Sequence, residues 1–141
     1  MLRIITIFLV SLNFLLSSTL IKHDNEEIVI DTSTNLMWQD SIDNKMLRLS
    51  WQESLEYCEK LSFGGFDDWR VPTHTELLTI VEKNKYNPSI SNVFTNTING
   101  FYWTSTEVKG RSAAWYIRFD FGRDGSINMT SKNYVRCVRT Q

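Results

Sequence analysis

The side chains of this sequence with chemistry to offer are few and widely spaced. Cys58 and Cys137 are its only cysteines. Standing far apart, they exclude a Cys-x-x-Cys redox motif and a four-cysteine zinc site, and in an exported chain the default for such a pair is a disulfide. Closing a loop of about eighty residues restricts the unfolded ensemble by roughly 4 kcal/mol. His23 and His74 are the only histidines. Neither has a carboxylate or a second imidazole at metal-ligand spacing, so no metal or cofactor is expected and both read as surface residues. Ser105 and Thr106 lack a nucleophile-elbow pattern and a histidine placed to activate them. Asp120 and Asp124, on either side of Arg123, do not compose a calcium loop by themselves.

Basic side chains are the remaining candidates. The chain holds 15 Lys and Arg against 16 Asp and Glu, a net charge of −1. Residues 21–107 carry 7 basic and 14 acidic side chains, whereas 108–141 carry 7 basic and 2 acidic. That asymmetry suggests a basic face open to an anionic ligand. Arg118 and Arg136, on neighbouring antiparallel strands, are expected to share an outward face with Tyr116, with Lys109 and Arg111 from a loop at its rim. The guanidinium fork suits sulfate or carboxylate. The competing reading is a solvated face that balances the acidic half. Nucleic acid is a poor fit for a chain whose residues 21–141 sum to −2.

Elements must hold these residues in place. Residues 1–20 run from Arg3 through the apolar Ile4 to Val10 and Phe14-Leu15-Leu16 to Ser17-Ser18-Thr19. This is the order of a secretory signal peptide, cleaved between Ser17 and Leu20, leaving a single exported domain over 21–141 without a membrane span, periplasmic or at the cell surface. A buried N-terminal helix and a retained anchor are the alternatives. Ile28-Val29-Ile30 and Leu36-Met37-Trp38-Gln39 flank a turn and predict an opening hairpin. Ser50-Trp51-Gln52-Glu53 is a capping box, and Trp51, Leu55, Cys58 and Leu61 form one apolar stripe of a helix that Gly64-Gly65 stops. A second capping box, Thr73 to Glu76 behind Pro72, opens a second helix ending near Glu82. Residues 83–100 read as a long, partly anchored loop. Strands follow at Phe101–Thr106, Ala114–Phe121, Ser126–Met129 and Tyr134–Val138. In the longest, Trp115, Ile117, Phe119 and Phe121 are assigned to the core and Tyr116, Arg118 and Asp120 to solvent. Asp124-Gly125 is read as its hairpin turn. Val135 and Cys137 face inward, Tyr134 and Arg136 outward. The sum is an α+β domain of two helices packed on a twisted antiparallel sheet.

Several spaced motifs then stand in a recognisable order. Leu36-Met37-Trp38-Gln39, Trp51 with Tyr57-Cys58, Gly64-Gly65-Phe66-Asp67-Asp68-Trp69-Arg70-Val71-Pro72-Thr73 with Glu76-Leu77, Tyr102-Trp103-Thr104-Ser105-Thr106, and Val135-Arg136-Cys137-Val138-Arg139 together resemble the Lcl C-terminal domain family. The likeness runs from about Ile28 to Arg139. The resemblance implies a C-type-lectin-like fold, in which a cysteine of the first helix bonds a cysteine of the last strand, and Cys58 and Cys137 fall in those positions. It also implies similarity to the C-terminal domain of a collagen-like bacterial surface adhesin that binds sulfated glycans, here without the Gly-X-Y repeat.

Functional readings follow from these residues. A secreted, non-enzymatic binding or adhesion module would use the 83–100 and 107–112 loops and the basic face, with a glycan or an envelope or surface protein as partner. Arg70-Val71-Pro72-Thr73 with Glu76 also resembles a segment of the formylglycine-generating enzymes, but that chemistry needs redox-active cysteines. A domain that only packs against another envelope protein is the third reading. Calcium-dependent sugar binding lacks its loop, since Tyr86-Asn87-Pro88-Ser89 has no acid and no Trp-Asn-Asp follows. Asp68 and Arg70 are read as an ion pair or backbone clamp before the second helix. Trp38, Trp51, Trp69, Trp103 and Trp115 are assigned to packing.

Overall fold

The computed structural model describes residues 20–25 and 27–141. All but Leu20 of the expected signal segment lies outside the described residues. The described residues form a mixed α+β fold with two antiparallel sheets, three short helices and one disulfide, where a single sheet and two helices were expected.

The first sheet has the order β1 (Leu20–Lys22), β2 (Ile28–Asp31), β3 (Leu36–Gln39) and β7 (Val138–Thr140). The expected hairpin is β2–β3, with Ile28 opposite Gln39 and Asp31 opposite Leu36. Its turn closes locally: the Asp31 carboxylate accepts from the Ser33 amide at 3.0 Å and the Ser33 hydroxyl at 2.7 Å, and Asn35 adopts a left-handed φ of 59°. Every residue of β3 is buried. The two faces feed different cores, Val29 and Trp38 into one cluster, Ile28 and Met37 into another around the cystine.

Along the chain, β3 is followed by α1 (Asp43–Met46), α2 (Trp51–Lys60) and α3 (His74–Leu78). Both capping boxes form: Ser50 and Glu53 exchange bonds at the start of α2, Thr73 and Glu76 at the start of α3. The four-residue α1 is an addition, too short to leave a periodic signal. Helix α3 stops at Leu78, short of Glu82, because Thr79 and Ile80 close it with tight turns and Val81 pairs with Ile90. Cys58 and Ser54 are the buried residues of α2, with Trp51, Leu55 and Leu61 half-buried beside them. Cys58 bonds Cys137 across 79 residues.

The second sheet is β4 (Phe101–Glu107), β5 (Ala113–Arg118) and β6 (Arg123–Asn128), in that order. The expected strand to Phe121 ends at Arg118, since Gly122, at a left-handed φ of 66°, donates back to the Arg118 carbonyl. Phe119 stays buried, but Phe121 is turned out and is 58% exposed. Asp124-Gly125 is not the turn. It lies within β6, where Gly125 pairs with Tyr116.

The last strand is also shifted. Residues 134–137 pass from the second sheet to the first: Tyr134 exchanges bonds with Phe101 and Trp103, Cys137 accepts from Gln39, and Val138 pairs with Arg70. Covered on both sides, Val135, Arg136, Cys137 and Val138 are all buried. Arg136, expected on the outward face, is therefore fully enclosed. Its guanidinium donates to the Asp40 carboxylate at 2.9 Å and to the Gln39 carbonyl, and on its other side to the Asn96 carbonyl at 2.9 Å and the Thr97 hydroxyl at 2.7 Å. Phe94 lies 4.8 Å beneath it. Asp40 also receives the Lys22 ammonium, the Thr95 amide and hydroxyl and the Asn96 amide. These bonds anchor the 83–100 loop, together with buried Ile90 and Phe94.

Burial alone would raise the Asp40 pKa, but the Arg136 charge and the hydrogen bonds from Lys22 and Thr95 hold it below its ordinary 3.8. A depressed folded-state value adds stability that is full above about 3.8 and is lost as pH falls through the folded value. Asp40→Asn should thus be less stable at neutral pH and show a flatter acid limb in a series of melts across pH. Arg136→Met leaves Asp40 buried without its main counter-charge and should lower the unfolding free energy by about 3–5 kcal/mol in urea titrations. A substitution of exposed Lys60 on α2 should shift it by no more than about 0.5 kcal/mol. Reduction of the cystine should lower stability by about 4 kcal/mol, read as a shifted urea midpoint.

Candidate functional site

The hairpin β4–β5 and strand β6 sort their side chains by alternation. Trp115 and Ile117 point to the side of α3, where the Trp115 ring lies 5.2 Å from that of His74. Tyr116 and Arg118 point the other way. Register sets Arg118 opposite both Phe101 and Arg123, and Tyr116 opposite Gly125.

These positions build one half-exposed platform. Phe101 and Tyr116 stack flat, with centroids 4.3 Å apart and planes 3° from parallel. The Arg118 guanidinium sits 5.0 Å from the Phe101 centroid and is also paired with Asp120. Gly125 makes this arrangement possible, because a Cβ there would lie 2.4 Å from the Tyr116 hydroxyl oxygen. The result is a half-exposed stack in which Phe101 lies between the Tyr116 ring and the Arg118 guanidinium, a surface of ring edges beside a cation that can hold an anionic substituent.

Of the sequence candidates, the structure therefore brings together Tyr116 and Arg118, adds Phe101 and removes Arg136. Lys109 and Arg111 are exposed in the β4–β5 turn, where Gly110 adopts a left-handed φ of 75°. They stand at the opposite end of the hairpin from Arg118, roughly 20 Å along an extended strand. The basic side chains form two separate positions, not one rim and face. Phe101 escaped notice because it reads as an ordinary strand residue. Its stacking on Tyr116 depends on a cross-strand register that no local pattern encodes.

Asp68 and Arg70 do not pair with each other. Arg70 forms a two-bond fork with Glu76 at 2.6 and 2.7 Å, and Asp68 receives Arg139 at 2.6 and 3.1 Å. The two side chains reach different neighbours. Arg70 reaches the cap of α3, and Asp68 reaches β7, where Arg139 also lies 3.9 Å from the Phe66 centroid. The hydrogen bonds from Arg70 hold Glu76, and those from Arg139 hold Asp68, below their ordinary values. Arg70 and Val138 exchange backbone bonds, and the Pro72 carbonyl accepts from Ser105.

His74 is more than a surface residue. Its Nε2 lies 2.8 Å from the Asp124 carboxylate, and its amide donates to the Thr106 hydroxyl. Heading α3, the ring turns toward β6. His23 accepts from the Asn25 amide in the β1–β2 connection. Trp38, Trp69 and Trp103 are buried, while Trp51 and Trp115 are half-buried. The indole N–H groups of Trp51, Trp69 and Trp103 donate to the carbonyls of Thr104, Phe63 and Leu49, so these rings serve packing.

Among the described residues no group of three or more His, Cys, Asp or Glu is placed to hold a metal, no cysteine is free, and no helix is long and apolar enough to cross a membrane. An open groove of about 420 Å³ runs along α2, lined by Glu53, Glu56, Tyr57, Lys60, Leu61 and Ser62. Its wall is acidic. Hydrogen bonds from Lys132 and the Ser50 amide lower Glu53 to about 2.

No curated protein matches the chain. The family model described as the Lcl C-terminal domain matches residues 27–139, the span that holds both sheets' main strands, the cystine and the aromatic platform. By that match, covering most of its length, the chain belongs to the Lcl C-terminal domain family.

Proposed function

We propose that this chain is an exported, non-enzymatic binding module of C-type-lectin-like build, and that the outer face of its second sheet recognises a glycan or another anionic ligand. The observation that carries the reading is the half-exposed Arg118–Phe101–Tyr116 platform. The edges of the stacked rings offer an apolar contact to a sugar, and the adjacent guanidinium matches sulfate or carboxylate. Export is supported by the order of residues 1–20 and by the Cys58–Cys137 bond, which belongs to an oxidising compartment. The same bond occupies both cysteines, and this favours binding over cysteine-dependent oxidation.

A heparin column at low ionic strength tests the proposal. The protein should be retained and should elute as salt shortens the screening length to a few ångströms, about 3 Å at 1 M. Tyr116→Ala and Arg118→Ala should each weaken retention, with an affinity loss of about five- to tenfold for the pair. Neutral dextran should bind more weakly than heparin. Passage of the folded protein through the column at low salt would rule out the anionic version, and unchanged retention of both variants would rule out this face.

A further inference from the structure

Two large aromatic side chains stand in solvent at another corner of the molecule: Tyr86 is 72% exposed and Phe121 58%. They belong to different loops that are bonded to each other. The Asn87 amide donates to the Asp120 carbonyl at 2.9 Å and the Ser89 amide to the Phe119 carbonyl at 2.7 Å. Tyr86 and Phe121 therefore each stand one residue from a shared hydrogen bond. Gly122 permits the close approach, since a Cβ there would meet Val81 Cγ1 at 2.6 Å. The backbone of the corner is fixed while its two rings are left bare.

The charges around the rings are unevenly engaged. Glu82 is paired with Lys85, Asp120 with Arg118, and Asp124 with His74. Lys83 and Arg123 are both exposed, and among the described residues neither has a carboxylate partner. A tyrosine ring, with its polar edge, favours the boundary between water and hydrocarbon, and a phenylalanine ring gains by leaving water. Basic side chains near that boundary are drawn to anionic headgroups within a screening length. Bare rings with unpaired cations two and three residues away in the chain, and with Glu82, Asp120 and Asp124 already engaged, match a surface that is apolar below and negative above.

We infer that this corner docks on the surface of an anionic lipid bilayer, with Phe121 and Tyr86 entering the headgroup region and Lys83 and Arg123 against the phosphates. The occupant follows from charge. A second copy meeting the first corner to corner would oppose Lys83 and Arg123 of both chains, whereas anionic lipid complements them. The contact is peripheral and does not use the Phe101–Tyr116 stack.

Co-sedimentation of the full chain with vesicles of equal phosphatidylglycerol and phosphatidylcholine tests it, with pure phosphatidylcholine vesicles as the reference. Tyr86→Ser with Phe121→Ser should lower the fraction bound to anionic vesicles by about fivefold or more. Lys83→Glu with Arg123→Glu should do the same and remove the preference for phosphatidylglycerol. All four positions are exposed, so melting curves of the variants should overlay that of the parent, and Tyr116→Ala should bind vesicles as the parent does. Because the N-terminal segment is common to every chain, differences between them report the corner alone. Equal vesicle binding by the parent and both double variants would overturn the inference. So would a parent that dimerises in analytical ultracentrifugation through Phe121 without any Phe121-dependent vesicle binding.

Discussion

The ion pair between Asp40 and Arg136 is the interaction on which the other parts of this fold rely. Two charges removed from water are costly unless each lone pair and proton finds a partner. Here the partners come from four places: the end of β3, the β1 lysine, the loop at residues 94–97 and the segment entering β7. None of these segments is held by a long element of its own. Pairing this carboxylate, with both terminal nitrogens of the guanidinium engaged and only Arg136 Nε left without a partner, gives an irregular loop a defined path.

The cystine and the ion pair act from adjacent residues. Arg136 reaches toward β3 and the loop, while Cys137 reaches α2. Because residues 135–138 are covered on both sides, alternate side chains of this one segment enter different cores. One short stretch of chain thus bonds to both sheets, through Tyr134 to β4 and through Cys137 and Val138 to β3.

What could be read from sequence was what is encoded locally. The capping boxes at Ser50 and Thr73 depend on residues three apart, and both formed. The β2–β3 hairpin depends on a turn between two short apolar runs, and the position of Cys58 on the inner face of α2 depends on helical periodicity. Arg136 was misplaced because its partner Asp40 lies 96 residues away and the loop that covers it has no periodic pattern. Alternation assigns a residue to a face; it does not say whether a second layer covers that face. Phe121 failed for a related reason, since Gly122 ended the strand before the alternation reached it. Asp124-Gly125 carries a strong turn signal, yet the missing side chain of Gly125 is used to seat the Tyr116 ring.

The order of the first sheet carries a consequence for how the molecule comes into being. Its strands run β1-β2-β3-β7, so strands of residues 20–39 are completed by residues 138–140, about a hundred positions later. Contacts of such long sequence separation form late and slowly, because a long loop must close before they are rewarded. Until residues 136–138 are available, β3 has an open edge, Asp40 has no guanidinium and Cys58 has no partner. A chain emerging from its N-terminus therefore cannot complete this sheet, this ion pair or this disulfide until residues 136–140 have been released.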